Sequence, residues 1–221
     1  VMGQAIIKSL LAKSTSADQI CIIDKVLEKA EDVSANLKVS LKSISEIGQK
    51  CEVILLAVKP QDLAKVLGEL KTTIKADSLV ISIAAGKTIK FIEENLGSNN
   101  PVIRVMPNTP ALIGKGVSAI AAGTYADASH LQIANEIFAS TGLVIQIPED
   151  KLDAVTALSG SGPAYFFNFI EAMVNAGVEL GLTREIATTL AIETISGSAA
   201  MLKESGLDAA TLRTNVTSPN G

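Results

Sequence analysis

Glu52–Val–Ile–Leu–Leu–Ala–Val58 is a nearly unbroken apolar run, closed by Lys59–Pro60. A strand with one wet face alternates apolar and polar positions, whereas a run apolar on both sides fits a parallel sheet covered on both faces. Leu79–Val–Ile–Ser–Ile–Ala84 and Val102–Ile–Arg–Val–Met106 repeat the theme. Between these runs, Asp62–Thr73 and Thr88–Leu96 carry apolar residues at helical spacing. Short apolar strands alternating with helices predict a parallel α/β sheet with right-handed crossovers.

The pattern extends both ways. Toward the amino end, Gln19–Asp24 reads as a strand, Lys25–Asn36 as a solvated helix, and Gly3–Lys13 as a helix through Ile6, Ile7, Leu10 and Leu11. Toward the carboxyl end follow a strand at Val117–Ala122, a helix at Ala128–Ser140 and a strand at Leu143–Ile147. After Pro148 the strand signal stops. From Glu149 onward the chain reads as helices, with Gly181 and Thr183 separating two long ones and Gly206 ending the second. The expected organisation is an α/β dinucleotide-binding domain of Rossmann type over residues 1–148, followed by an all-α domain over 149–221.

Leu158–Ser–Gly–Ser–Gly–Pro–Ala–Tyr165 opens the helical part, with Pro163 where the first turn of a helix accommodates it. Beyond it, Asn168, Glu171, Asn175 and Glu179 form one narrow polar stripe on an otherwise apolar helix, predicting burial around most of its circumference. The next helix carries the small residues Ala187, Ala191, Thr194 and Ser198 at a spacing that permits close helix–helix approach. So small a helical part is marginal for an independent core, and a second copy of the chain would complete it as a homodimer. The other solution is that the sheet domain covers it within one chain.

With 48% hydrophobic and 19% charged residues, the chain is globular rather than disordered. No apolar run approaches the roughly 18 residues of a membrane span. A net charge of −4 without a basic patch argues against a nucleic-acid partner. Cys21 and Cys51 lack CxxC spacing and are expected to be reduced, buried thiols. A cytoplasmic location is expected from such thiols, and Val1–Met2–Gly3 does not read as a signal peptide. His130, the single histidine, sits where a helix begins; it reads as solvated or capping, and no histidine-based metal cluster can form.

A sheet of this type binds ligands outside the carboxyl ends of its strands. If a G-x-G-x-x-G turn precedes the first helix, Val1 and Met2 are its last variable positions and Gly3 its third glycine, facing a pyrophosphate at the helix amino terminus. Asp24 follows Gly3 by 21 residues, about where an acidic residue meets the adenosine ribose. It reads equally as a solvated residue at a strand end. The expectation is that a first strand precedes Val1.

Four stretches carry a resemblance: Ala57–Val–Lys–Pro60, Ala84–Ala–Gly86, Arg104–Val–Met–Pro–Asn–Thr–Pro110 and Leu158–Ser–Gly–Ser–Gly–Pro–Ala–Tyr165. In this order and spacing the chain resembles the pyrroline-5-carboxylate reductases, which make proline from its cyclic imine precursor. Val216–Thr–Ser–Pro–Asn–Gly221 is similar to the start of that family's S-P-[GN]-G-x-T signature. The resemblance implies a nicotinamide-binding domain, an interlocking helical dimer that often assembles into a ring of dimers, and NADPH or NADH as cofactor. By position it implies that Ala57, Val58, Lys59 and Pro60 line the dinucleotide crevice. Ala84, Ala85 and Gly86 would approach the cofactor by backbone, and Asn108, Thr109 and Pro110 would lie near the nicotinamide. Ser161 and Gly162 would border the substrate pocket, with Ser218, Pro219, Asn220 and Gly221 holding the substrate carboxylate. Taken singly, each stretch has a plainer role: Lys59–Pro60 ends a strand, Pro107 and Pro110 stiffen a loop, and Gly160 and Gly162 form a hinge.

The residue types fit that chemistry. A ketone reductase needs an acid to protonate the developing alkoxide, whereas a cyclic imine arrives protonated and its iminium accepts hydride directly. The family's threonine that contacts the substrate nitrogen falls past Gly221, so these 221 residues alone are expected to turn over little or not at all. Asp24 would repel a 2′-phosphate, an effect Lys25 could offset, and NADH is expected to be tolerated. Two rivals are a β-hydroxyacid dehydrogenase, disfavoured because Pro163–Phe169 carries no lysine, and a silent dinucleotide-binding assembly protein.

Overall fold

The computed structural model describes residues 2–13 and 15–218. In chain order the elements are α1 (Met2–Lys13), β1 (Cys21–Ile22), α2 (Leu27–Leu37), β2 (Ser40–Leu41), α3 (Ile44–Lys50), β3 (Val53–Leu56), α4 (Leu63–Leu70), β4 (Leu79–Ser82) and α5 (Ile89–Leu96). They continue with β5 (Val102–Pro107), β6 (Gly116–Ala122), α6 (Ala128–Ala139), β7 (Gly142–Gln146), α7 (Leu152–Val155), α8 (Gly162–Glu179), α9 (Arg184–Glu204) and α10 (Ala209–Val216). A π-turn over Thr156–Gly160 joins α7 to α8. Backbone packing divides the chain into two compact units, 1–163 and 164–221.

The first unit is built on a five-stranded sheet of order β3-β4-β5-β6-β7. Strands β3, β4 and β5 are mutually parallel, with Leu56 opposite Ser82 and Ser82 opposite Arg104. β4 is buried at every position, as the apolar run predicts. Its Leu79 and Ile81 face a layer made by α1 and α6 through Ile6, Ala134 and Phe138. Val80 faces the opposite layer, where α4 and α5 supply Leu63, Leu67, Ile92 and Leu96, and α7 supplies Leu152. Each such side chain is fully buried, and truncating a Leu of this kind to Ala costs about 2–5 kcal/mol.

The strand directions correct the all-parallel expectation. β6 runs antiparallel to β5, with Val105 opposite Ile120, and β7 follows β6 in parallel. The reason is the length of the connection: Asn108–Lys115 holds only a short 3₁₀ turn, and a crossover to a parallel strand needs a dozen or more residues. The strand expected at Gln19–Asp24 is likewise shorter. Gln19 belongs to a 3₁₀ turn in which its side-chain oxygen accepts the Ser16 N–H, leaving Cys21–Ile22 to pair with β2 in a separate two-stranded parallel sheet. Cys21 and Cys51 are free and half-buried against the α4–α5 layer; burial, with Cys21 nearby, pushes the Cys51 thiol up. His130 caps α6: its Nδ1 accepts the Asp127 N–H while the Asp127 carboxylate accepts the N–H groups of Ser129 and His130.

In the second unit, Val174 of α8 packs with Ala187 and Ala191 of α9, so the first half of the small-residue stripe brings the two helices together, while Thr194 and Ser198 stay exposed. Gly177 lies on this contact, where a Cβ would stand 3.0 Å from that of Ala187. The aromatic start of α8 finds no cover from α9. Tyr165, Phe166, Phe167 and Phe169 are each more than half exposed, so the predicted burial around the helix is absent from the single subunit. No described helix is long and apolar enough to cross a membrane.

Candidate active site

Parallel register places the carboxyl ends of β3, β4 and β5 side by side. The loops leaving them are Ala57–Pro60, Ala84–Gly86 and Asn108–Pro110, so three of the four sequence stretches share one edge. Pro60 stands at the second position of a turn in which the Asp62 N–H is bonded to the Lys59 carbonyl, a position suited to its fixed φ. Ala57 and Lys59 are exposed there, with Val58 and Pro60 half-buried. In the next loop Ala84 is buried and its N–H is donated to Ser82 Oγ at 3.3 Å, while Ala85 and Gly86 are exposed. Gly86 has φ +70°, a left-handed conformation that costs glycine nothing.

Gly3 brings α1 to the same edge. A Cβ at Gly3 would sit 3.1 Å from the Ala57 Cβ, so the absence of a side chain sets how closely the start of α1 meets the end of β3. Met2, half-buried, packs its side chain against the Ile6–Phe138 layer. The first turn of α1 has no acidic residue to oppose an anion at a helix amino terminus. Gly3, Ala57, Ala84, Ala85 and Gly86 thus place small residues together at the carboxyl edge of β3 and β4. α1 also packs on the 3₁₀ turn Thr109–Ile113. Asn108, buried, accepts the Val117 N–H through Oδ1 at 2.9 Å and thereby locks the loop; Thr109 is exposed and Pro110 half-buried.

Asp24 lies just past β1, where its Oδ1 accepts the Val26 N–H at 2.9 Å. Lys25 Nζ is held by Asp62 Oδ2 at 2.8 Å. Their bond raises the Lys25 pKa and lowers that of Asp62, so both stay charged across the neutral range. The partner of Lys25 is thus the closing residue of the Lys59–Asp62 turn.

The fourth stretch packs on β5 through the π-turn. The Ser161 N–H is bonded to the Thr156 carbonyl at 2.8 Å, a five-residue step that widens the helix. Gly160 lies against Met106, and a Cβ there would be 2.6 Å from the Met106 methyl carbon. Ser159 and Thr156 turn their hydroxyls back to the carbonyls of Val155 and Leu152. Among the described residues the Ser161 hydroxyl has no such bond, and Gly162 beside it is buried. Ser218 is exposed past α10 in the second unit, and Pro219, Asn220 and Gly221 lie outside the described residues.

Sequence reasoning missed Glu149 and Asp153. Glu149 Oε1 accepts the Ile89 N–H at 2.6 Å and meets Arg104 Nη1 at 3.1 Å; Asp153 Oδ1 lies 3.6 Å from Arg104 Nη2. The available signal was Arg104 itself, a charge inside an otherwise apolar strand.

Residues 149–221 match the family model for pyrroline-5-carboxylate reductase dimerisation, and residues 1–86 match that for NADP oxidoreductase, coenzyme F420-dependent. The pyrroline-5-carboxylate reductase of Corynebacterium melassecola is 38% identical, covering 100% of this chain and 83% of the relative. The solved structure of a pyrroline-5-carboxylate reductase from Coxiella burnetii superposes with a TM-score of 0.91 at 35% identity, covering 100% of this chain and 83% of that one. The NADP-bound pyrroline carboxylate reductase of Plasmodium falciparum gives 0.87 at 33% identity, covering 100% and 82%. A Rossmann-like sheet unit, a match to the dimerisation model over the helical part, and similarity to these enzymes along the whole of this chain lead to one statement: the chain belongs to the pyrroline-5-carboxylate reductase family.

Proposed function

We propose that this chain reduces 1-pyrroline-5-carboxylate to L-proline with NADPH or NADH. The observation that carries the reading is the seating of Gly160 on Met106, which joins the Ser159–Gly162 turn to the strand ending in the Asn108–Pro110 loop. When bound, the reduced nicotinamide supplies the hydride.

The chain's own part is positional. Gly3, Ala57–Pro60 and Ala84–Gly86 would hold the dinucleotide along the carboxyl edge of β3 and β4, and Asn108, Thr109 and Pro110 would border its reactive ring. Ser161 and Gly162 would flank the imine, with Ser218, Pro219, Asn220 and Gly221 assigned to its carboxylate. A substrate nitrogen already protonated needs no acid from the protein, so orientation and exclusion of water supply the rate. His130, spent on the α6 cap, agrees with such a division of labour.

Self-association through the helical part supports a homodimer, and further assembly into a ring of dimers belongs to the same proposal, as does a cytoplasmic location. A domain boundary at Pro148 is supported by the dimerisation match beginning at residue 149. The decisive assay is oxidation of NADPH and NADH by the full-length protein with 1-pyrroline-5-carboxylate. Turnover with that imine is expected. Tight cofactor binding without oxidation would favour a silent dinucleotide-binding protein instead.

A further inference from the structure

The Arg104 side chain is only 7% exposed on β5. It points to the α4–α5 side of the sheet, like Val102 and Met106 on the same strand, and its cross-strand neighbours there are Ser82 and Ala121, small residues that leave room for it. A guanidinium out of water must be paired, and an unpaired one is strongly destabilising. Its partners are Glu149 and Asp153, at the start of the segment that leads through Leu152 and the π-turn to Ser161. The same Glu149 oxygen accepts the N–H of Ile89, the first residue of α5, three residues past Gly86. One carboxylate therefore binds the base of the Ala84–Gly86 loop, the middle of β5, and the foot of the segment carrying Ser161.

We infer that Arg104 and Glu149 are positioning residues that fix the spacing between the Ala84–Gly86 loop and the Thr156–Gly162 turn. This deepens the proposed reading by saying how the two half-sites of one reaction are held at a set separation. Two grips on β5 define the segment's path: Arg104 takes Glu149 and Asp153, and Met106 takes Gly160. Loss of Glu149 leaves Asp153 on Arg104 and Gly160 on Met106, so the segment keeps two anchors, at a cost in stability, while the separation loosens.

The test uses the full-length protein and compares Glu149→Ala, Glu149→Gln, Arg104→Met and Arg104→Lys with Leu152→Val, which disturbs the same segment through packing alone. NADPH Kd is read by cofactor fluorescence, kcat and KM by imine-dependent oxidation, and Tm by circular dichroism. Glu149→Ala should raise the NADPH Kd about fivefold to tenfold, less than the full worth of a charge-assisted hydrogen bond because the lost bond positions the loop and does not touch the cofactor. Both Glu149→Ala and Arg104→Met should lower kcat about tenfold or more through misplacement. Glu149→Gln keeps an acceptor for Ile89 and should return Kd to near the parent value, while Arg104→Lys, lacking the fork, should not restore kcat. Leu152→Val should lower Tm with Kd unchanged. An unchanged Kd in Glu149→Ala, or an equal rise in Leu152→Val, overturns the inference. A parent that binds NADPH but does not oxidise it with the imine defeats the proposed function alone, because the Kd series still decides this one; a parent that does not bind NADPH defeats both.

Discussion

Gly160 touches Met106 so closely that a methyl group added to the glycine would lie 2.6 Å from the methionine methyl carbon. Met106 can swing its terminal methyl aside, because the thioether side chain is adaptable. Gly160→Ala is therefore expected to leave Tm within a few degrees of the parent and to lower kcat/KM about tenfold by displacing the turn. Adding Met106→Ala should recover part of that loss. Steady-state kinetics on the single and double variants decide it, and strictly additive losses would show that the contact is irrelevant to catalysis.

The Lys25–Asp62 pair bears on cofactor choice. Asp62→Asn frees the ammonium next to Asp24 and should raise the preference for NADPH over NADH severalfold, with the gain fading as salt is added. Kd values for both cofactors at low and high ionic strength measure this. An unaltered ratio would mean that Lys25 does not reach the ribose end of the crevice.

The aromatic face of α8 separates two kinds of disruption. Phe167, 68% exposed, can take a charge without harm to its own subunit, so Phe167→Glu should yield folded monomers by light scattering. Gly177→Glu inserts a carboxylate between α8 and α9, where Ala187 leaves no room, and should give insoluble protein. Ala176→Glu, on the exposed side, should behave like Phe167→Glu. A soluble Gly177→Glu dimer would contradict the tight α8–α9 contact.

Asp127 titrates at about 2 because the Ser129 hydroxyl and the His130 and Ser129 N–H groups stabilise its charged form. A carboxylate whose pKa is lowered on folding adds stability above its unfolded value of about 3.9 and loses it as pH falls through the folded value. Asp127→Ala should thus melt earlier than the parent at pH 7, with the gap closing between about pH 4 and pH 2. Thermal melts across that range test the cap; a gap independent of pH would assign the effect to something other than charge.

The layered sheet was readable because Val53–Leu56 is apolar on both faces, and Leu79–Ser82 and Val102–Val105 are broken only by Ser82 and Arg104, a pattern that fits doubly covered strands. The reversal at β6 was not, although the eight residues between Pro107 and Gly116 left no room for a crossover. Strand propensity says where a strand is; connection length says which way it runs. β2 and α3 escaped because two residues and seven residues are too few for periodicity to register. For the site, Gly3 and Gly160 could be picked out by type, but the neighbours that demand glycine, Ala57 and Met106, are 54 positions away in both cases and known only from the fold. The Arg104–Glu149 pair was hidden for the same reason.

The π-turn between Thr156 and Gly160 has a rotational meaning. In an unbroken α-helix each residue advances about 100° around the axis, so one extra residue accommodated within a turn re-phases everything beyond it by about that angle. The face on which Ser161 stands is therefore set by that single widened turn. An insertion or deletion of one residue anywhere from Leu152 to Gly160 would leave the helix intact as a helix and aim Ser161 elsewhere, much as a screw thread cut one step out of phase still turns but no longer seats.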